Sequence, residues 1–234
     1  MAGGRSERMR ATSGVHKALM QVRGKSLIEW SLQTLIQEGF QDIVVSISAD
    51  NSEIEQFLIG RGREIAEAAD AKLITLKESI PLGTIGAAAI AIRGFDALLV
   101  VNVDNLTDLP LRRFVEFHLN SGSDLTIASH NEPFQIPFGQ LVIENGEVLD
   151  YLEKPLLPIS ISSGTYVIGP NASELIEPGK RFDVTHLFRL AKANGLKVSA
   201  FEHTCFWIDI NDEPALRKAE CILAEKEGKV GAAT

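Results

Sequence analysis

Three short apolar segments set the fold class. Residues 43–47 are rich in β-branched side chains and read as a buried strand, residues 72–76 as a second, and residues 97–103 as the most apolar strand of the chain. Helical patterns separate them. Leu27, Ile28, Leu32, Leu35 and Ile36 recur at helical spacing behind the capping-box pattern Ser26-Leu27-Ile28-Glu29, and Gly39 offers the stop, which predicts a helix over 26–38. Ile54, Phe57 and Leu58 repeat the pattern after Asn51, and residues 84–92 form an Ala-rich third helix. Strand alternating with helix is the signature of a Rossmann-like, doubly wound α/β sheet with helices on both faces.

The second half is mixed. Leu111, Phe114, Val115 and Leu119 predict a helix and residues 125–128 a strand; two strand-like runs then flank Asn145-Gly146, the strongest short hairpin signal. Further strands are expected at 160–168 and 197–201, and helices at 183–193 and 213–226. No repeat, linker or low-complexity tract divides the chain. With 234 residues, 45% hydrophobic and 23% charged, one mixed-sheet domain is expected: a nucleotide-binding half over 1–130, a second half over 131–227 and a frayed tail over 228–234.

Composition narrows the function classes. A formal charge of −8 argues against nucleic acid or an acidic membrane as partner, and no apolar run reaches the roughly 20 residues that span a bilayer. The basic start lacks the apolar core of a secretory signal, and Cys205 and Cys221 read as buried free thiols, so a cytoplasmic protein is expected. The five histidines have no metal-ligand spacing; His118 and His186 fall in helical patterns as packed or solvated residues.

Four stretches carry chemistry. Between Gly3 and Lys25 stand six basic residues (Arg5, Arg8, Arg10, Lys17, Arg23 and Lys25) against Glu7 alone, a local excess of +5 around the Gly3-Gly4 pair. Close backbone approach and mobile positive charge suit a polyphosphate, with a solvated tail as the plain alternative. Asp104, in Val101-Asn102-Val103-Asp104-Asn105, ends the most buried strand, where ligands bind in open α/β sheets; Asp209, in Trp207-Ile208-Asp209, ends another apolar strand. Two such carboxylates suit one Mg²⁺ ion; the plain alternatives are a turn cap for Asp104 and a helix-start residue for Asp209. Pro81-Leu82-Gly83-Thr84-Ile85-Gly86 suits contact with a flat base or an anion, or is a tight loop before a helix.

Taken together with Phe138-Gly139, Glu153-Lys154-Pro155 and Ser163-Gly164-Thr165-Tyr166, these stretches resemble the sugar-1-phosphate nucleotidyltransferases (NDP-sugar pyrophosphorylases) in order and spacing nearly end to end. The Pro-Leu-Gly-Thr-x-Gly wording is most similar to guanylyltransferases acting on mannose or heptose 1-phosphate. The resemblance implies that Gly3, Gly4, Arg8 and Lys17 hold the triphosphate of a nucleoside triphosphate, GTP favoured, and that Gly83, Thr84 and Gly86 line the base and ribose pocket. It gives Gly139, Glu153, Lys154 and Gly164 to the sugar 1-phosphate, Asp104 and Asp209 to Mg²⁺, and catalysis to Arg8, Lys17 and Asp104; a homo-oligomer is among its expectations. Ser6, Ala11 and His16 depart from the family's loop. Three other readings stay open: uridylyl or thymidylyl transfer to an amino-sugar phosphate, a glycosyltransferase of similar fold, and a degenerate nucleotide-binding regulator.

One expectation concerns the strand that leads into the phosphate loop. In a doubly wound sheet it lies centrally, here between the strands at 43–47 and 97–103, and the chain supplies only Met1 and Ala2 for it. The recorded start is therefore expected to be truncated or misplaced, and those two strands to stand one strand's width apart instead of pairing.

Overall fold

The computed structural model describes residues 1–2 and 15–231, with side chains through residue 226. The first described hairpin, β1 (Gln21–Val22) and β2 (Lys25–Ser26), turns through Arg23 and Gly24, both at positive φ. Ser26 then caps helix α1 (Leu27–Gln37): its hydroxyl accepts the Glu29 N–H at 3.3 Å, as the capping box requires, and Leu27, Ile28 and Leu32 form the buried face. Strand β3 (Asp42–Ser48) pairs in parallel with β4 (Lys72–Glu78), with Val45 opposite Thr75. The crossover between them is helical: α2 (Ser52–Phe57), capped by Asn51, a π-helical turn Leu58–Gly62, and α3 (Arg63–Glu67).

The Ala-rich segment departs from expectation. Only α4 (Ala88–Ala91) is α-helical, because residues 82–85 are drawn aside: the Phe182 N–H bonds Leu82 O at 2.8 Å and the Ile85 N–H bonds Phe182 O at 3.1 Å. Strand β5 (Leu98–Val101) is also shorter than expected. Beyond it the Asn102 N–H turns to Gly164 O at 3.2 Å, and β6 (Asn105–Thr107) pairs elsewhere.

After helix α5 (Leu111–Ser121) come β7 (Leu125–Gln135), the hairpin β8 (Gln140–Glu144) and β9 (Glu147–Leu152), and β10 (Leu156–Ile168). Asn145 and Gly146 turn that hairpin at φ 48° and 85°, the left-handed pair its two-residue loop demands. β7 and β10 pair antiparallel and extend beyond the expected 125–128 and 160–168, to Gln135 and back to Leu156, because each supplies the other's ladder there. A short helix α6 (Pro170–Ser173), helix α7 (Val184–Ala193), β11 (Val198–Glu202), β12 (Trp207–Asp209) and helix α8 (Glu213–Gly231) complete the chain; α8 continues across the expected tail boundary at 228.

The main sheet has the order β11-β7-β10-β5, mixed in direction. Alternate residues serve opposite faces. Leu125, Tyr166 and Ile168 pack with Leu187, Ile176 and Ile85 on one side, while Ala128 and Val167 pack with Phe114, Leu109 and Leu111 on the other. Helices thus cover both faces, as a doubly wound α/β sheet requires. Cys205 and Cys221 are free thiols, Cys221 exposed instead of buried, and no helix among the described residues is long and apolar enough to cross a membrane. His118 is buried and bonded to Thr126 Oγ1 at 2.8 Å; His186 stacks on Phe182 at 4.6 Å.

β3 and β5 do not pair with each other. Met1 and Ala2 lie between them, bonded to both: the Met1 nitrogen donates to Val101 O at 2.6 Å, Met1 O accepts the Val103 N–H at 3.2 Å, and the Ala2 N–H reaches Ser46 O at 3.0 Å.

Candidate active site

Three segments remote in sequence meet just past the carboxyl end of β5. Lys17 opens a 3-10 turn (Lys17–Leu19) fixed by His16, whose Nδ1 accepts the Ala18 N–H at 3.1 Å. The lysine is 8% exposed, and its Nζ donates to Asp104 Oδ2 at 2.8 Å and stands 3.6 Å from Asp209 Oδ1. Nζ also donates to Asn211 Oδ1, and Asn211 Nδ2 to Asp209 Oδ2. The two carboxylates are neighbours because β12 pairs with β6, which sets Asp209 opposite Asn105, and because the Ile210 N–H bonds Asp104 O at 2.9 Å.

The electrostatics suit a cation. Burial pushes the Asp209 carboxyl above the usual carboxylate range, the like charge of Asp104 adds to the shift, and Lys17 and Asn211 oppose it. Asp209 Oδ1 is buried without a hydrogen-bond donor, since an ammonium at 3.6 Å supplies charge but no bond. Two carboxylates and the Asn211 amide oxygen form a hard, all-oxygen donor set. No group of three or more His, Cys, Asp or Glu side chains suited to a metal occurs among the described residues. The set therefore fits a sparsely held ion such as Mg²⁺, which keeps waters and binds through one or two carboxylates plus phosphate.

Gly164 abuts this centre. At φ 68°, a Cβ there would stand 2.0 Å from Asn105 Nδ2, so the close approach of β10 to the Asp104 turn needs glycine. The Ser163 carbonyl accepts from Asn105 Nδ2 and Trp207 Nε1, both at 2.8 Å, and the Ser163 hydroxyl sits 3.1 Å from His130 Nδ1 and 2.7 Å from His203 Nε2. Burial, and then the neighbouring His130, hold the His203 imidazole below its usual range.

The other expected residues lie elsewhere or outside the described range. Gly83, Thr84 and Gly86 pack on the segment before α7: the Thr84 N–H donates to Asp183 Oδ1 at 3.0 Å, and a Cβ on Gly83, at φ 76°, would stand 2.6 Å from that oxygen. The glycine there is demanded by the protein's own packing. Gly139 lies beneath the Tyr151 ring, and Glu153 and Lys154 are exposed in the turn joining β9 to β10, Lys154 at φ 45°. Gly3, Gly4 and Arg8 fall outside the described residues. Asn211, Asn105, His130, Ser163 and His203 were not anticipated. Asn105 adjoins Asp104 in sequence and was legible as a neighbour, whereas Asn211 reads as a helix entry and the Ser163 contacts depend wholly on strand pairing.

Known proteins resemble the chain throughout. Mannose-1-phosphate guanylyltransferase catalytic subunit beta of Drosophila pseudoobscura pseudoobscura is 27% identical over 230 residues, covering 95% of this chain and 61% of that protein. UTP--glucose-1-phosphate uridylyltransferase of Synechocystis sp. is 28% identical over 232 residues, covering 92% and 60%. The chain thus spans about three fifths of the length of these curated relatives. The crystal structure of HddC from Yersinia pseudotuberculosis superposes with a TM-score of 0.69 at 27% identity, covering 95% of this chain and 96% of that one; its complex with GMP-PN matches at 0.69 and 26%. The nucleotidyl transferase family model matches residues 1–226, and the chain belongs to that family.

Proposed function

We propose that the protein joins a nucleoside triphosphate, GTP favoured, to a sugar 1-phosphate, giving a nucleoside-diphosphate sugar and pyrophosphate. The observation that carries this reading is the convergence of Lys17, Asp104 and Asp209 at the carboxyl end of β5, directly beyond the Met1–Ala2 segment that leads into Gly3-Gly4. A sugar-phosphate oxygen attacks the α-phosphorus, a new P–O bond forms there, and the bond to the β-phosphate bridge breaks in line. Negative charge gathers on the transferring phosphoryl group and on pyrophosphate, so placement and positive charge suffice without a covalent nucleophile.

Lys17, nearly buried and already fixed between two carboxylates, brings a positive charge that loses little freedom when phosphate arrives. Asp104 and Asp209 would hold Mg²⁺, with Asn211 as a neutral third oxygen; the ion supplies Lewis-acid charge neutralisation when bound. Arg8, Gly3 and Gly4 are assigned to the triphosphate, Gly83, Thr84 and Gly86 to base and ribose, and Gly139, Glu153, Lys154 and Gly164 to the sugar phosphate. The nucleotide half is 1–130 and the sugar-phosphate half 131–227. GTP is supported by the guanylyltransferase names among the relatives and by the GMP-PN complex of HddC. The substrates and the −8 charge favour a cytoplasmic enzyme without nucleic-acid or membrane partners, and exposed Leu141, Ile143, Leu149 and Tyr151 favour self-association.

The test is incubation with each nucleoside triphosphate, a panel of sugar 1-phosphates and Mg²⁺, followed for pyrophosphate. Release that depends on both substrates, fastest with GTP, is expected. Nucleoside diphosphate released from a nucleotide sugar in the presence of an acceptor would instead make the protein a glycosyltransferase, and nucleotide binding without turnover a regulator.

A further inference from the structure

Three buried polar side chains beside the candidate site take no part in the chemistry described above. Ser163 is 1% exposed, and His130 and His203 are 9% and 8% exposed. The Ser163 hydroxyl stands between the two rings, whose centroids are 5.5 Å apart, and the His130 ring also packs on Trp207 at 4.6 Å. Glu132, His130 and Ser163 follow one another in the order of a carboxylate, a base and a nucleophile, but no substrate reaches a hydroxyl so buried and bonded on both sides. Packing does not explain the rings either. His203 Nδ1 is buried without a hydrogen-bond partner, a cost that an apolar side chain in the same place would not carry.

Glu132 sets the direction of the hydrogen bonds. Its Oε2 lies 3.4 Å from His130 Nε2, where it supplies charge without a bond, and a carboxylate on that side favours the proton on Nε2. His130 Nδ1 is then an acceptor, the Ser163 O–H donates to it, and the Ser163 oxygen accepts the Nε2–H of His203. Burial favours the neutral ring of His203, which offers that one donor and leaves Nδ1 bare. The ring is itself anchored, because the His203 N–H bonds Ser129 O on β7 at 2.9 Å.

What these bonds hold is a bulge. Ser162 pairs with Ser129 and Tyr166 with Ile127, so Ser163, Gly164 and Thr165 stand where β7 has Ala128 alone. The extra length carries β10 toward the Asp104 turn: Gly164 O accepts the Asn102 N–H, and the Ser163 carbonyl accepts from Asn105 Nδ2 and Trp207 Nε1. Asn105 follows Asp104 and pairs with Asp209, and Trp207 shares a strand face with Asp209. One carbonyl thus ties together the two segments that bear the carboxylates, and the hydroxyl of the same residue fixes that carbonyl to β7. Granted the magnesium site at Asp104 and Asp209, we propose that Ser163, His130 and His203 are positioning residues that set the spacing of those two carboxylates for a divalent cation.

The test compares the wild type with His203→Leu, which fills the same space without a donor, and His203→Gln, whose amide N–H reaches the place of Nε2. Mn²⁺ binding to the nucleotide-free protein, read by electron paramagnetic resonance, is expected to weaken about tenfold in His203→Leu and to return to within about threefold of the wild type in His203→Gln. Pyrophosphate release should follow the same order, with kcat lowered about tenfold and KM for both substrates nearly unchanged in the leucine variant. Nitrogen NMR of the wild type should find His130 and His203 both protonated at Nε2. Should His203→Leu fold poorly, Ser163→Ala, which removes only the hydroxyl, takes its place with the same expected loss. Equal Mn²⁺ affinity in wild type and variant, no rescue by glutamine, or a proton on Nδ1 of His130 would overturn the proposal. A wild type that binds no Mn²⁺ removes the site and the proposal with it. In a chain that binds Mn²⁺ but releases no pyrophosphate, the transferase reading fails and the Mn²⁺ comparison still decides the proposal.

Discussion

Two nearly identical stretches, Ile43-Val44-Val45 in β3 and Leu141-Val142-Ile143 in β8, meet opposite fates. Ile43 and Val45 are 4% and 7% exposed, whereas Leu141 and Ile143 are 45% and 60% exposed. Both are strands and both have one hydrogen-bonded neighbour, β4 for the first and β9 for the second. The difference is what lies against the face. β3 receives Ile28, Leu32 and Ile54 from the helices on either side of it in sequence, whereas no helix of the described residues covers the β8–β9 hairpin. Branched apolar side chains dictate an extended backbone; burial is decided by whatever else the topology brings to that face.

The comparison is broken most directly by truncating one residue on each side. Ile43→Ala is expected to cost ~2–5 kcal/mol, as truncation of a buried apolar side chain does. Ile143→Ala is expected to stay within about 0.5 kcal/mol, as exposed positions do. Urea melts at matched protein concentration measure both. A loss at Ile143 that grows as the protein is diluted below an association midpoint would show the hairpin covered by another subunit.

Next in size is the seam at which Asp104 follows β5 and Asp209 ends β12. Asp104→Asn and Asp209→Asn should each lower pyrophosphate release by about a hundredfold or more, roughly 2.7 kcal/mol of transition-state stabilisation. Unchanged turnover with magnesium dependence intact would remove that carboxylate from the proposed metal site. On the exposed side, Lys154→Ala should raise KM for the sugar phosphate by about tenfold, ~1.4 kcal/mol, and leave triphosphate affinity near that of the wild type. Calorimetry showing the triphosphate side weakened instead would reassign Lys154 to the nucleotide.

Elements fixed by local chemistry were legible in the sequence. The Ser26 cap, the Asn51 cap and the Asn145-Gly146 turn are decided within four residues, and each stands where the pattern put it. Asp104 and Asp209 were readable because a carboxylate just past an apolar strand marks the sheet end where ligands bind. That they share Lys17 was not, since it depends on β6 meeting β12 across a hundred residues. Residues 84–92 misled for the same reason in reverse: their alanines favour helix, and hydrogen bonds that the Thr84 and Ile85 N–H groups donate to Asp183 and Phe182, with the Phe182 N–H on Leu82 O, override that preference at the segment's start. The extension of β7 over residues 129–135 is largely polar and gave little apolar signal, and the start of β10 at residues 156–159 is interrupted by Pro158; each is held by the other's backbone.

The smallest expected effect is the most diagnostic of the seam. Burial and Asp104 raise the Asp209 pKa above its unfolded value, so the stability linked to this group is fully present below the ordinary carboxylate range and is lost as the pH rises through the raised value. At neutral pH the ionised side chain is therefore held at a cost, which Lys17 and Asn211 offset only in part. Asp209→Asn should melt slightly above the wild type at pH 7 without added metal, although it is nearly inactive, and the gap should close below about pH 4, where the native carboxyl is neutral as well. Added Mg²⁺ should narrow the gap at pH 7 by stabilising only the wild type, through binding that the variant has lost. If the variant melts lower at pH 7, attraction to Lys17 outweighs burial, and the seam is a salt bridge first and a cation site second.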